Sequence, residues 1–179
     1  MYSYYGTLAE ANEYFDNRLH EEAWYDAPAH DRPKALIKAT QLIDALNFKG
    51  YKAAVFDIMF DLSADGTSWI ELDVTDEEIR EAEATQELEF PRGEDTEIPD
   101  AIKLACWEIV HALLDGVDPD LDVENLGVVS QGYASVRTTY ARNQLQVEHL
   151  MHGIPSATAW RSLKPFLRDA DEVKLNRVD

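Results

Sequence analysis

The 179-residue chain is poor in cysteine, in long apolar runs and in basic side chains. Its single cysteine, Cys106, excludes an internal disulfide and a cysteine-based zinc site, and it is typical of a reducing compartment. No stretch approaches the roughly 20 apolar residues that a membrane-spanning helix needs. The N-terminal residues Met1–Tyr5 hold no basic segment followed by an apolar one, so we predict no signal peptide.

Patterns of the common catalytic sites are also missing. The sequence contains no G-x-S-x-G, H-E-x-x-H, Walker or G-x-G-x-x-G motif. Cys106 lies on the apolar face of a predicted helix, where a free thiol behaves as a small hydrophobe and not as a nucleophile. We therefore expect no enzymatic activity and no cofactor.

Metal-binding patterns are incomplete. A run of alternating acids imitates the start of a calcium-binding loop, but Val123 and Val129 stand where an EF-hand needs Gly and Glu. His149 and His152 are three residues apart and could share a helical face, but no third ligand lies near them in the sequence. We predict a structural histidine pair and no metal site. The alternating acids are Asp118, Asp120, Asp122 and Glu124.

The acids outnumber the bases by 35 to 16, which gives a formal net charge of −19. The excess is confined to one stretch: Asp57 to Glu124 holds 22 acids and three bases, and the remainder holds 13 of each. From Val128 to Arg168 the only acid is Glu148, against five bases. Two interpretations stay open, namely a solvated acidic surface that keeps the protein soluble, or two surfaces of opposite sign for different neighbours.

This charge disfavours tight DNA binding, because phosphate contacts need Lys and Arg. Single-strand binders combine a basic groove with aromatic side chains that stack on bases. Tyr133, Arg137, Tyr140 and Arg142 offer that mixture on a small scale only.

Helical spacing of apolar residues predicts five helices. Capping boxes open two of them, at Thr7 and at Thr75, and Pro165 is expected to bend or shorten the last one. Leu8, Ala11, Phe15 and Leu19 are expected to face inward from the first helix, and Trp24 and Tyr25 are expected to pack on the core from the connection after it. The predicted helices are Thr7–Arg18, a second from Asp31 to Gly50, a third that begins at Thr75, a fourth from Pro99 to Asp115 and a fifth that begins near Ser156.

In the first part of the acidic stretch, apolar residues alternate with polar ones at a period of two, which is typical of β-strands. Apolar residues from Phe56 to Leu62 and from Ile70 to Val74 alternate with acids around the turn signal Ala64–Thr67, which predicts a β-hairpin with one acidic face. Asp118–Glu124 is predicted to be an acidic loop. Val128–Thr139 is predicted to be extended or looped, with a second hairpin around Gly132 as the alternative.

These patterns predict a mainly α fold: a small helical bundle of four to five helices with an inserted β-hairpin and an extended C-terminal arm. The expected division is a helical core over residues 1–127 and an arm, C-terminal helix and tail over residues 128–179.

Several segments resemble one family of bacteriophage proteins, the head–tail connector or adaptor proteins of the tailed-phage neck, whose members are often named DnaT-like single-strand DNA-binding proteins. The resemblance covers most of the chain. The stretch of about 52–85 falls between two of its landmarks and is interpreted as an insertion that carries the hairpin and the acidic helix. The segments are Gly6–Phe15 with Trp24, Ala35–Asp44, Phe48–Gly50, Phe90–Arg92, Ile98–Lys103, Ser130–Tyr133 and Gly153–Ala157.

The resemblance implies a small helical subunit that forms a ring, expected to be dodecameric, beneath the portal protein. The ring would extend the DNA channel towards a downstream neck or tail protein, without tight binding of the passing double-stranded DNA. It implies a place in the virion neck, with assembly in the host cytoplasm and no membrane contact.

Family members commonly grip the portal through an extended C-terminal segment. By that analogy the segment is either Val128–Arg142 or the tail from Asp169, and the alternatives stay open. The implied contacts to the portal or to a neighbouring subunit are Tyr133, Arg137, Tyr140 and Arg142 in the first segment and Lys174 and Arg177 in the tail. The acids implied to face the channel or the next neck component are Asp76, Glu77, Glu81, Asp118, Asp120 and Asp122.

The two names in use for this family predict opposite charges. A protein that loads onto DNA should attract phosphate, whereas a conduit should let DNA slide past an acidic or neutral wall. The net charge favours the conduit, and a DnaT-like single-stranded DNA-binding replication accessory protein is the alternative.

Overall fold

A computed structural model of the chain describes residues 3–126, 130–133, 136–139 and 148–168. Within these ranges the chain forms nine α-helices and two antiparallel two-stranded hairpins, which confirms the mainly α fold with an inserted β-hairpin. The number of helices exceeds the four to five predicted because several of them are only one or two turns long. The elements are α1 (Leu8–Asp16), α2 (Glu22–Asp26), α3 (Arg32–Asp44), α4 (Ala53–Met59), β1 (Phe60–Leu62), β2 (Trp69–Glu71), α5 (Asp76–Thr85), α6 (Asp100–Leu114), α7 (Pro119–Leu126), β3 (Ser130–Tyr133), β4 (Val136–Thr139), α8 (Glu148–Met151), α9 (Ala157–Leu163) and a 3-10 turn (Lys164–Phe166).

Helix α6 is the centre of the main core and packs against α3, α9 and α2. Its apolar face follows the predicted spacing: Ile102, Ala105, Cys106, Ile109 and Val110 are fully buried. A fully buried isoleucine or valine stabilises the fold by roughly 1.5–3 kcal/mol relative to an exposed one. This one helix therefore supplies a large part of the stability of the bundle.

The N-terminal segment closes one side of this core. The Thr7 hydroxyl accepts a hydrogen bond from the Glu10 amide at 3.1 Å, so the predicted cap of α1 is present. Gly6 precedes it with φ of 77°, and a Cβ added there would lie 3.2 Å from Cζ2 of Trp107. Both the backbone conformation and the close contact with Trp107 therefore favour glycine at position 6.

Three expectations near α1 differ from the structure. The helix ends at Asp16, so Leu19 lies beyond it and is 82% exposed, and Leu8 is also exposed. Residues 22–26 form the short helix α2 instead of an irregular connection. Trp24 packs on the core as predicted, stacked on Phe15 with 4.6 Å between ring centroids, but Tyr25 faces solvent with the Arg32 guanidinium 5.5 Å from its ring.

The predicted first strand is wrong over its first half. Residues Ala53–Met59 form α4, and β1 is confined to Phe60–Leu62, where it pairs with β2 in antiparallel register. Val55 and Met59, one helical turn apart, pack against Ala82 of α5 and form a second, smaller core. The apolar residues of this segment are spaced both two and four positions apart, so the spacing fits a strand as well as a helix. Packing against α5 favours the helix.

The predicted acidic loop Asp118–Glu124 is also wrong, because α7 begins there. The Asp118 carboxylate accepts hydrogen bonds from the amides of Asp120 (3.0 Å) and Leu121 (3.4 Å), and Pro119 occupies the first helical position. Acids in the first turn are favourable beside the positive end of the helix dipole.

The C-terminal region follows its predictions more closely. Ser156 caps α9, accepting from the Ala159 amide at 3.2 Å, and the helix stops at Leu163 before a 3-10 turn that contains Pro165. Strands β3 and β4 form the hairpin that was the alternative for this stretch. Gly132 lies within β3, opposite Arg137, and the hairpin is therefore not folded around it.

Candidate functional site

Three of the six acids that the resemblance implies to face the channel or the next neck component lie on α5. Asp76, Glu77 and Glu81 are all exposed. The helix begins at a complete capping box in which Thr75 binds the Glu78 amide and the Glu78 carboxylate binds the Thr75 amide at 2.9 Å. The Thr75 amide and the Thr75 hydroxyl both donate to the Glu78 carboxylate, and these two hydrogen bonds lower the pKa of Glu78. The acidic first turn of α5 is therefore capped and exposed to solvent.

The second predicted acidic group lies on and just before α7. Asp118 and Asp120 are exposed, and Asp122 is partly buried. Helix α7 packs on α8, whereas α5 packs on α4. The two acidic groups thus belong to different packing units of the molecule.

Few of the acids in the stretch Asp57–Glu124 are neutralised within the part of the chain that the structure describes. Ion pairs there involve only Glu89, Asp100 and Glu108, which pair with Lys or Arg at 4.0 Å or less. Most of the negative charge therefore faces solvent without a cationic partner among those residues.

The structure describes only two of the six residues that the resemblance implies to contact the portal or a neighbouring subunit. Tyr133 ends β3 opposite Val136, and Arg137 lies in β4. Tyr140, Arg142, Lys174 and Arg177 lie outside the described residues. The choice between the segment Val128–Arg142 and the tail as the gripping element stays a prediction.

The hairpin of β1 and β2 exposes four large apolar side chains to solvent. Leu62, Trp69, Ile70 and Leu72 are 50%, 43%, 51% and 43% exposed. Trp69 meets Phe56 edge to face at 4.9 Å, and its indole Nε1 donates to Glu94 at 2.6 Å. The register pairs Leu62 with Trp69 and Asp61 with Ile70, so Leu62 and Trp69 lie on one face of the hairpin, and Ile70 and Leu72 lie on the other. We call the exposed side of Ile70 and Leu72 the apolar hairpin face. Large side chains in such a patch mark interaction surfaces more often than scattered exposed ones do.

A groove adjoins this face, between α4, α5 and the segment after β2. Its volume is about 540 Å³. Ala54, Ile58, Leu72, Val74 and Ala82 supply its apolar walls. Its acids are Asp73, Glu78 and Glu81. The surface suits a partner segment that carries apolar residues and positive charge. The sequence signal that points to it is a hairpin with apolar alternation inside the most acidic stretch.

The two landmarks that flank the insertion meet in space. The rings of Phe48 and Phe90 pack edge to face at 4.7 Å in the main core. Arg92 donates to the carbonyls of Lys49 (2.9 Å) and Gly50 (2.6 Å) and to the carboxylate of Glu89 (2.6 Å). We call this set the junction. It closes the base of the insertion and fixes the direction in which the insertion leaves the core.

Backbone hydrogen bonds reinforce the junction. The Ala53 amide donates to the Pro91 carbonyl at 3.0 Å, and the Gly93 amide donates to the Tyr51 carbonyl at 2.9 Å. Lys52 adds an ion pair to Glu89 at 3.2 Å. The ends of the insertion are therefore side by side, as expected for a segment inserted between two neighbouring parts of a core.

The buried carboxylate of Glu108 has structural partners. Glu108 is 11% exposed at its side chain and receives Arg18 Nε at 3.0 Å, Arg18 Nη2 at 3.1 Å and the Tyr14 hydroxyl. Burial raises the pKa of Glu108, but the hydrogen bonds from Arg18 and Tyr14 outweigh it and hold the pKa below its ordinary value. This group is a stabilising pair and not a proton donor at neutral pH.

The single thiol is equally unsuited to chemistry. Cys106 is fully buried, and burial raises its pKa to about 12. His149 and His152 lie in or beside α8, and the His152 ring stacks on Trp160 at 4.8 Å between centroids. Among the residues described, no group of three or more His, Cys, Asp or Glu could hold a metal ion, and no helix is long and apolar enough to cross a membrane.

The chain was compared with family models, curated proteins and solved structures. No family model matches it, and no curated protein or solved structure shows a significant match.

Proposed function

We propose that this chain is a structural neck protein of a tailed phage, an adaptor that forms a ring below the portal, joins head to tail and continues the DNA channel. Its partners on this proposal are the portal protein, further copies of itself and a downstream neck or tail protein. Its role is mechanical, with no catalytic step.

The convergence of the landmark segments supports this assignment. Residues from separate segments that carry the family resemblance, among them Phe15, Leu36, Phe90 and Ile102, belong to one hydrophobic core. The interpreted insertion instead builds its own small core around Val55. The segments that carry the resemblance therefore share one packing unit, and the interpreted insertion forms another.

The uncompensated acidic surface is the observation that favours a conduit over a DNA-loading protein. A wall of this sign repels phosphate and lets DNA pass without sticking, whereas a loader gains its affinity from phosphate contacts. Glu81 of α5 and Asp120 of α7 are examples of the exposed acids on these two helices. Neither helix offers DNA a cationic surface.

Sedimentation velocity of the purified chain, with and without a labelled single-stranded oligonucleotide, tests the proposal. We expect a large closed oligomer whose sedimentation is unchanged by the oligonucleotide at low salt. A monomer that binds the oligonucleotide tightly and releases it as salt is raised would contradict the proposal and favour the replication accessory protein.

A further inference from the structure

The apolar hairpin face and its adjoining groove have no cover in the described part of the chain. Ile70 and Leu72 lie on the same face of the hairpin and remain about half exposed, and Leu72 lines a groove that could hold further apolar groups. The hairpin has only two strands, so each strand also has an unpaired outer edge. Exposed edges of this kind pair readily with another strand.

A second feature of the chain has the complementary character. Strands β3 and β4 form a two-stranded sheet against which no described helix packs extensively. An isolated two-stranded hairpin is marginally stable in water and gains stability when its face is covered. The stretch 128–142 contains valines, tyrosines and two arginines but no acid.

The charges of these two elements are opposite. Residues 52–85 hold ten acids and two bases, and Asp73 and Glu81 are among the residues that line the groove. Arg137 lies in β4, in the stretch that has no acid. Opposite charges of this kind select the partner and its orientation, and they speed the encounter.

We propose that the β3–β4 hairpin of one copy docks on the apolar hairpin face and groove of the next copy. The contact joins two different surfaces and is therefore head-to-tail, the type that closes into a ring when the rotation between copies is suitable. This inference rests on the proposed function for the presence of a ring, and it adds which surfaces form the lateral contact.

A charge-swap experiment tests the pairing. The groove variant is Asp73→Lys with Glu81→Lys, and the hairpin variant is Arg137→Glu. Each variant alone places like charges in contact and should weaken self-association, measured by sedimentation velocity, by about tenfold. An equimolar mixture should recover association to within about twofold, because each groove variant then meets a hairpin variant.

The control variant is Glu22→Lys with Asp26→Lys, which makes the same change of net charge on exposed positions of α2. It should associate like the unaltered chain. Far-UV circular dichroism checks that every variant is folded. A photoreactive benzophenone residue in place of Ile70, in an otherwise unaltered chain, gives an independent readout: irradiated oligomers should yield an intermolecular cross-link to residues 130–139.

The outcomes separate this inference from the proposed function. Rings that form equally well in both variants, or cross-links from position 70 to another part of the chain, overturn the lateral contact and leave the ring. A mixture that fails to recover association also overturns it. An unaltered chain that stays monomeric contradicts the ring itself.

Discussion

Replacing Arg92 with alanine should destabilise the whole chain, because this residue closes the junction between the core and the insertion. Its side chain is 13% exposed and donates to two backbone carbonyls and to the Glu89 carboxylate. Its guanidinium also lies 5.9 Å from the ring of Phe48. No other single side chain in the junction joins so many of its parts.

The size of the loss in free energy of unfolding depends on which groups can replace the contacts of Arg92. A net hydrogen bond to a neutral acceptor contributes about 0.5–1.5 kcal/mol, and one between charged groups contributes about 1.5–3 kcal/mol. Glu89 keeps Lys52 at 3.2 Å, so its carboxylate is not left without a partner. Water can reach the carbonyls of Lys49 and Gly50, which are exposed residues. We therefore expect a loss of about 2–3 kcal/mol, well below the simple sum of the contacts.

Thermal unfolding followed by circular dichroism measures this loss. For a chain of this length, about 2–3 kcal/mol corresponds to a fall in Tm of about 5–10 °C. Arg92→Lys should lose part of that amount, since one ammonium group cannot bind both carbonyls and the carboxylate. Arg80→Ala is the control, because Arg80 is exposed on α5 without an ion pair among the described residues, and its Tm should change by less than about 2 °C. An Arg92→Ala protein that unfolds within about 1 °C of the unaltered chain would refute the role of the junction.

Four further predictions concern the insertion, the thiol and two carboxyls, Glu108 and Asp44. Replacing residues 54–85 by a short Gly/Ser linker should leave a cooperative helical fold by circular dichroism, because the ends of the insertion are side by side; loss of the unfolding transition would contradict this. Cys106 should react with a thiol reagent only as fast as the protein unfolds, and rapid labelling of the native chain would show that its burial is wrong. Glu108→Gln should destabilise the chain at pH 7 and flatten the loss of stability between about pH 5 and pH 3, because a carboxyl whose pKa is lowered on folding contributes stability that disappears as the pH falls. Burial raises the pKa of Asp44, so its ionised carboxylate lowers the free energy of unfolding at pH 7, whereas that of Glu108 raises it. Asp44→Asn should therefore maintain or raise stability at pH 7, measured by urea unfolding at each pH.

The helices with strong apolar periodicity and clear end signals could be predicted from the sequence. In α6 the spacing from Ile102 to Val110 identifies a buried face, and Pro99 and Gly116 flank the helix at its two ends. Residues 53–62 were harder, because their apolar residues fit both a strand and a helix. The contact of Val55 and Met59 with Ala82, more than 20 positions away, decides between them. A long-range contact of this kind leaves no mark in a single sequence.

The surfaces were predictable in their chemistry and less so in their placement. Counting acids locates the negative charge and suggests which helices carry it. It does not show that Glu108, within the same stretch, is nearly buried against Arg18, which lies 90 positions earlier in the chain. Nor does alternation show whether Ile70 faces the core or solvent, because a hairpin has two faces and the packing of the rest of the chain selects one.

Electron microscopy of the purified chain tests the central claim most directly. If the chain is a neck adaptor whose copies join head to tail, negatively stained particles will be closed rings with a central channel wide enough for duplex DNA. Fields of small single particles at every protein concentration, with no ring among them, would contradict the account.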